Sequence, residues 1–249
     1  MQAIILAAGV GKRLGPLHRG PKCLLEFAGR SLLERHLDAL AELGVDTVTM
    51  CLGYASEAIE RSIPQRHAAR VIVHYNPLYE LGSVISLWCV RHALLRGDDV
   101  LLMDADVLYD QRILARLVGS PASNCFLLDR DFLPGDEPVK ICLQDDRIVE
   151  FRKQIAPGLR YTALGESVGF FKFDAATATR LAALVGAYVA DGRREQPHEE
   201  ALRELALAPD CAIGVEDVTG LAWIEIDFPE DVNRAALDIL PRLDDRTDS

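Results

Sequence analysis

No stretch of this 249-residue chain has the makings of a membrane span: apolar runs such as residues 3–8 and 100–103 fall far short of the roughly 18 to 20 residues needed. Basic clusters are equally scarce. No Lys/Arg run exceeds two residues, and 27 basic against 38 acidic side chains leave a net charge of −11, which argues against a nucleic-acid face. C-x-x-C pairs are absent. The six cysteines, at 23, 51, 89, 125, 142 and 211, are scattered without metal-finger spacing, so buried thiols are expected rather than a disulfide framework or a zinc site. A secretory leader would carry positive charge ahead of its apolar core, whereas here Lys12 and Arg13 follow it. The opening residues therefore read as a first strand, and the expected location is cytoplasmic. Lysine itself is sparse, five of 27 basic residues, at 12, 22, 140, 153 and 172.

What is present is alternation. Short apolar runs at 3–7, 47–52, 70–75 and 100–103 are separated by segments of helical period, such as Leu32, Leu33, His36, Leu37, Leu40 and Leu43, or Val84, Leu87, Trp88 and Ala93. That alternation predicts an α/β, Rossmann-like fold, with a mixed, mostly parallel central sheet flanked by helices. After Asp110 the pattern changes. Strand-like stretches at 124–128, 139–143, 148–151 and 167–173, joined by short turns such as 144–146, predict a small antiparallel extension at one edge. Helices are expected at about 175–190 and 199–207, then a strand at 221–226 and a closing helix opened by Pro229 with Glu230 and Asp231. Nothing divides the chain, so one domain over 1–243 is expected, with a nucleotide-binding half at 1–110, an acceptor-binding half at 111–243 and a frayed tail at 244–249.

Leu6-Ala7-Ala8-Gly9-Val10-Gly11-Lys12-Arg13-Leu14 sets two glycines and two cations directly after the first strand, where backbone N–H groups can approach a phosphate. A Walker loop is excluded because Leu6 stands where its first glycine belongs and Arg13 follows the lysine. A dinucleotide fingerprint fails at Leu14 and Leu52. A tight turn with solvated charges is the remaining alternative for the loop taken alone. Gly20-Pro21-Lys22 follows within one loop length, however. Leu6–Arg13 and Pro21-Lys22 together resemble the opening signature of the sugar-nucleotidyltransferase superfamily, L-A-A-G-x-G-x-R followed by P-K. The resemblance implies a loop wrapped around the phosphates of a nucleoside triphosphate, with Arg13 on β/γ oxygens and Lys22 on the α-phosphate.

Glu80-Leu81-Gly82-Ser83-Val84 opens a helix, and Ser83 is a natural N-cap. By the same resemblance this turn reads the base, Gly82 through its backbone and Ser83 through a base or ribose hydrogen bond. Asp104 and Asp106 end an apolar strand at i and i+2, so extended backbone would send both side chains to one side, a costly arrangement unless a cation joins them. Glu225 and Asp227 end another apolar strand in the same way. A solvated strand end is the alternative. The resemblance makes Asp106 an Mg2+ ligand with Asp227 as its partner, Asp104 and Glu225 in support, a number of carboxylates that suits Mg2+.

In the second half, Glu137-Pro138-Val139-Lys140-Ile141, residues 146–153, Gly165–Phe170, His198–Leu202, Gly220–Asp227 and Pro229-Glu230-Asp231 form an ordered series. This series resembles the cytidylyltransferase branch that acts on phosphocholine, 2-aminoethylphosphonate and related phosphonates, and it is similar to inositol-phosphate cytidylyltransferases. The likeness runs from Gln2 to about Leu240. It implies Lys153 and Lys140 on the acceptor's phosphate and Glu166 and Glu199 around its other end. Amine-substrate members commonly carry a pair of Asn before Ile-Tyr-Ser-Leu, whereas this chain reads Gly82-Ser83-Val84-Ile85-Ser86-Leu87. A quaternary ammonium would also want an aromatic cage, for which Trp88, Trp223, Tyr79 and Tyr161 are the candidates. A small phosphonate is therefore favoured over phosphocholine.

The expectation is a CTP-dependent enzyme that transfers CMP to a small phosphonate or phosphate, using Mg2+ and releasing pyrophosphate. Its partners are CTP and the acceptor, with neither nucleic acid nor membrane; a homodimer is left open. No Ser-His-Asp or Cys-His set is needed, because a phosphate monoester is largely ionised near neutral pH. The rivals are a sugar-1-phosphate nucleotidyltransferase, against which stands the lack of an appended acyltransferase or left-handed helix repeat, and a non-catalytic nucleotide-sensing module.

Overall fold

The computed structural model describes residues 1–15 and 20–243. Strand β1 (Gln2–Ala7) runs through the middle of the main sheet; a small hairpin, β2 (Glu26–Phe27) and β3 (Arg30–Ser31), precedes helix α1 (Leu32–Glu42). Ser31 caps that helix by accepting a hydrogen bond from the Glu34 amide at 3.1 Å. Strands β4 (Thr47–Leu52), β5 (Val71–Tyr75) and β6 (Val100–Asp104) complete a parallel block in the order β6-β1-β4-β5, with helices α2 (Ser56–Ser62), α3 (Ser83–Cys89) and α4 (Arg91–Leu94) in the connections. Because β4 and β6 flank β1 on opposite sides, the chain reverses its winding there. A crevice opens at the carboxyl ends of these strands, where α/β sheets bind their ligands.

The second half follows the expected antiparallel pattern. Strand β7 (Val107–Tyr109) and helix α5 (Gln111–Gly119) lead to β8 (Cys125–Asp129), β9 (Lys140–Gln144), β10 (Arg147–Arg152) and the long β11 (Ala163–Phe173). Along one edge β11 pairs antiparallel with β6 and then β9; along the other it pairs with β8, and β10 closes the sheet beyond β9. Helix α6 (Ala175–Ala190) and α7 (His198–Ala206) follow. Two details depart from the sequence-based expectation. Strand β12 (Gly214–Asp217), not foreseen, adds parallel to β8. The strand expected at 221–226 contracts to β13 (Trp223–Glu225), which leaves the main sheet to pair with β7. Helix α8 (Pro229–Arg234) begins at Pro229 as expected.

Alternation along the buried strands feeds both faces of the sheet. Ile4 and Leu102 join the core beneath α3, α6 and α7, while Ala3, Ile5, Leu101 and Met103 join the core beneath α1 and α5. A smaller core under β13 and α8 holds Leu108, Ile224 and Ile226. All six cysteines are free, five of them buried, in line with the reading of inert thiols. Among the described residues no helix is long and apolar enough to cross a membrane. The frayed tail expected at 244–249 lies outside the described residues.

Candidate active site

The loop after β1 bends through Gly11, whose φ of +65° and ψ of 35° lie in the left-handed region that favours glycine. A single 3-10 turn, Lys12–Leu14, follows. Leu6, Ala7, Gly9, Gly11, Lys12 and Arg13 line a cleft at the crevice, closed on its other side by Lys22 and Cys23, by Tyr79, Glu80 and Leu81, and by Ala105, Asp106 and Asp227. The Ala8 carbonyl is turned away, accepting from the Tyr54 amide at 3.1 Å.

Asp106 and Asp227, 121 positions apart in sequence, meet because β7 and β13 form a three-residue antiparallel ladder in which Glu225 stands opposite Val107. The Ile226 amide extends that ladder by donating to the Asp106 carbonyl at 2.9 Å. Asp231, in the first turn of α8, then fixes the bend: its Oδ2 accepts from the amides of Asp227 and Phe228 at 3.0 and 2.8 Å. From the opposite side α1 supplies His36, buried and lowered to about 4 by that burial. As a neutral ring its Nε2 donates to the Ala105 carbonyl at 3.2 Å, bracing the residue next to Asp106.

Asp106, Glu225 and Asp227 each offer a carboxylate oxygen within 4.8 Å of the other two. Three hard oxygen donors converging beside this cleft fit a divalent cation such as Mg2+. Loss of solvation by the surrounding protein, then the charges of Asp106, Asp227 and Asp104, push the Glu225 carboxyl well above its ordinary range. Lys22 Nζ stands between the partners, 2.8 Å from Asp106 Oδ2 and 2.7 Å from Asp227 Oδ1. Burial works to lower the Lys22 pKa, but those two carboxylates outweigh it and hold the ammonium above its usual value. Asp227 is held below its ordinary value: burial opposes the shift, and Lys22 and Arg13 overcome it.

Asp104 does not share this cluster. The extended backbone of β6 ends at Asp104 itself and the chain bends at Ala105 and Asp106, so the same-side geometry expected for i and i+2 is lost. Asp104 instead faces α7, with Oδ1 3.7 Å from Nε2 of the buried His198. His198 Nδ1 lies 3.0 Å from both Glu199 Oε2 and Ser83 Oγ. Burial disfavours charge on this imidazole, yet Glu199 and Asp104 raise it to about 9. Ser83 is accordingly no N-cap. Gly82 occupies that position without a side-chain bond, and Ser83 Oγ accepts from the His198 amide at 2.8 Å. Neither Gly82 nor Ser83 lines the cleft, whose wall here is 79–81. The segment before α7 lies against Gly82 so closely that a Cβ would come within 2.1 Å of the Gln196 carbonyl oxygen.

A second cleft opens beside the first, and Asp227 lines both. Its wall is acidic, with Asp129, Asp131, Glu166, Glu225 and Asp231 facing Arg234, and Phe132, Trp223 and Phe228 give it an aromatic part. Trp223 Nε1 donates to Asp129 Oδ2 at 2.7 Å. Burial, reinforced by Asp129 directly across the strand pair, pushes Glu166 up to about 7. The four aromatic candidates do not converge into a cage. Of the four, Trp223 lines this cleft, beside Phe132 and Phe228; Tyr79 lines the first, Trp88 lies under the Arg91 guanidinium at 4.2 Å, and Tyr161 is part-exposed outside both.

The basic residues of the second half divide similarly. Lys140 Nζ donates to the carbonyls of Gly135, Pro138 and Lys153, at 2.7, 3.3 and 2.6 Å, and so ties down the loop before β9. Lys153 is half-exposed and pairs with Glu137 at 2.9 Å; Arg13 reaches the same Glu137 oxygen at 2.8 Å and Asp227 at 3.2 Å. Glu137 thus joins the glycine loop to the second half. Sequence reasoning quoted its motif but gave it no role, and it passed over His36 and His198, whose partners lie far away in sequence.

A family model for the MobA-like NTP transferase domain matches residues 3–132. Among characterised proteins, the CMP-5'-(3-aminopropyl)phosphonate synthase of Streptomyces rubellomurinus is 29% identical over 248 residues, covering 94% of this chain and 38% of its own length. The bifunctional IPC transferase and DIPP synthase of Aquifex aeolicus is 29% identical over 244 residues, covering 94% of this chain and 50% of the relative. The chain therefore spans half or less of the length of these two relatives. In fold it is similar to the inositol-1-phosphate CTP transferase from T. maritima, with a TM-score of 0.78 at 20% identity, over 97% of this chain and 95% of the other.

Proposed function

The chain belongs to the MobA-like NTP transferase domain family, and from that premise we propose that it transfers CMP from CTP to the phosphonate or phosphate group of a small acceptor, releasing pyrophosphate. The observation that carries this reading is the pair of clefts meeting at Asp227, one lined by the glycine loop and Lys22, the other by the acidic wall. The loop amides with Lys12 and Arg13 would hold the β- and γ-phosphates, and Lys22 the α-phosphate. Asp106 and Asp227, with Glu225 beside them, would hold Mg2+, which when bound supplies charge neutralisation between two anionic reactants.

An acceptor oxygen, already ionised, attacks the α-phosphorus in line; the new P–O bond forms as the bond to the pyrophosphate oxygen breaks. No proton need be removed, so no general base is required. Lys153 would draw the acceptor's anionic end toward Asp227 by neutralising it. The acidic wall around Asp129 and Glu166 favours an acceptor whose far end is cationic. A small aminophosphonate such as 2-aminoethylphosphonate is the acceptor these features support best. The name of the Streptomyces relative, a synthase of an aminopropylphosphonate nucleotide, points the same way.

A panel of four nucleoside triphosphates against 2-aminoethylphosphonate, other phosphonates, phosphocholine, inositol phosphate and sugar phosphates, read by pyrophosphate release, tests the proposal. Release with CTP and an aminophosphonate is expected. Release only with UTP or GTP and a hexose 1-phosphate would contradict it, and CTP binding without release for any acceptor would make the protein a nucleotide sensor.

A further inference from the structure

Lys22 occupies an unusual position for a phosphate ligand. Its ammonium makes short hydrogen bonds to Asp106 Oδ2 and Asp227 Oδ1, two of the three carboxylates that converge as candidate ligands of a divalent cation. Its stem is confined as well. Gly11, in a left-handed bend, carries no side chain over it, and a Cβ there would approach Lys22 Cγ to 3.2 Å. The side chain therefore passes close beneath the glycine loop and ends between the carboxylates, only 15% exposed.

An ammonium and a divalent cation cannot share one pair of carboxylate oxygens, because the two positive charges would stand within a few ångströms of each other in a partly desolvated cleft. We infer that Lys22 is the internal counter-ion of the cation site, so that a divalent ion gains Asp106 and Asp227 only as Lys22 leaves them. The triphosphate cleft, which Lys22 also lines, offers the ammonium its alternative partner. Cation binding to the protein alone is consequently weak. A phosphate group that takes up Lys22 strengthens it, and by reciprocity the cation strengthens phosphate binding. The single lysine thereby couples loading of the cation to loading of the nucleotide. This inference rests on the cation-ligand part of the reading above and not on which nucleotide or acceptor is used.

The test is a titration with Mn2+ alone, without nucleotide, following free Mn2+ by electron paramagnetic resonance. Lys22→Met, which keeps the stem and removes the charge, is expected to bind Mn2+ about tenfold more tightly than the parent protein. Lys22→Arg keeps the charge and is expected to show no gain, and the gain of Lys22→Met is expected to vanish when Asp106→Asn is added. Equal or weaker binding by Lys22→Met, or a gain that survives Asp106→Asn, overturns the inference. A second measurement needs no variant: with only five lysines in the chain, the Nζ resonances of 15N-lysine-labelled protein can be followed through an Mg2+ titration. The Lys22 signal should shift with the midpoint of cation binding; saturation that leaves it unmoved contradicts the competition. Neither titration contains nucleotide, so their failure leaves the pyrophosphate panel standing, and failure of that panel leaves the competition standing.

Discussion

Lys153 and Arg13 converge on one oxygen of Glu137, and the Arg13–Glu137 pair links the two clefts. Only Lys153 comes from the second half. Lys153→Ala is expected to raise the acceptor KM about tenfold while the CTP KM changes little, as steady-state kinetics with each substrate varied would read. An equal rise in both would place Lys153 on the nucleotide. Glu166 carries a pH signature. Its pKa is raised from 4.5 to about 7 by burial and by Asp129, so the folded protein binds a proton that the unfolded chain has already lost across this window. Stability therefore falls as pH rises between those values. Glu166→Gln removes that loss, and thermal melts should show its Tm gaining on the parent from about pH 5 to about pH 8. A constant offset would contradict the sign.

Among the elements, the β7/β13 ladder builds the carboxylate cluster while α7 packs behind it on Asp104 and Ser83, and neither role was legible in the sequence. The main strands were, because apolar runs and helical spacing are local signals; the loop at Leu6–Arg13 stands out because it directly follows a strand, while Pro21-Lys22 and the acids at 106 and 227 are singled out by the family resemblance. A ladder of three residues per strand has too short a period to recognise, and its pairing of Glu225 with Val107 spans most of the second half. The acids at 104 and 106 were expected to act together, but the backbone bend after β6 sends Asp104 to His198. Ser83 was expected to cap α3, yet its hydroxyl serves the start of α7. Gly82 tests this docking. Its φ of −66° suits any residue, so only the space matters, and a Cβ would meet the backbone of residues 195 and 196. Gly82→Ala should destabilise the protein by about 2 kcal/mol or more, seen as a lower urea midpoint. An unchanged midpoint would show that α7 does not lie so close.

Across the whole molecule, a net charge of −11 would repel a triphosphate and a phosphonate alike, so the binding proposed above has to rest on local charge. The fold achieves this by gathering Lys12, Arg13 and Lys22 at the carboxyl ends of β1 and β6, where the parallel block changes direction, and by bringing Lys153 across from the antiparallel extension. On the proposed reading, the three carboxylates that converge at the same spot are the cation's ligands. Crystals grown with CTP and Mn2+, with data collected at the manganese absorption edge, test the account most directly. The anomalous peak is predicted to lie between Asp106 and Asp227 and in contact with the triphosphate, with Lys22 moved from those carboxylates to the α-phosphate. A peak elsewhere, or Lys22 still bridging the two acids beside a bound metal–nucleotide, would contradict it.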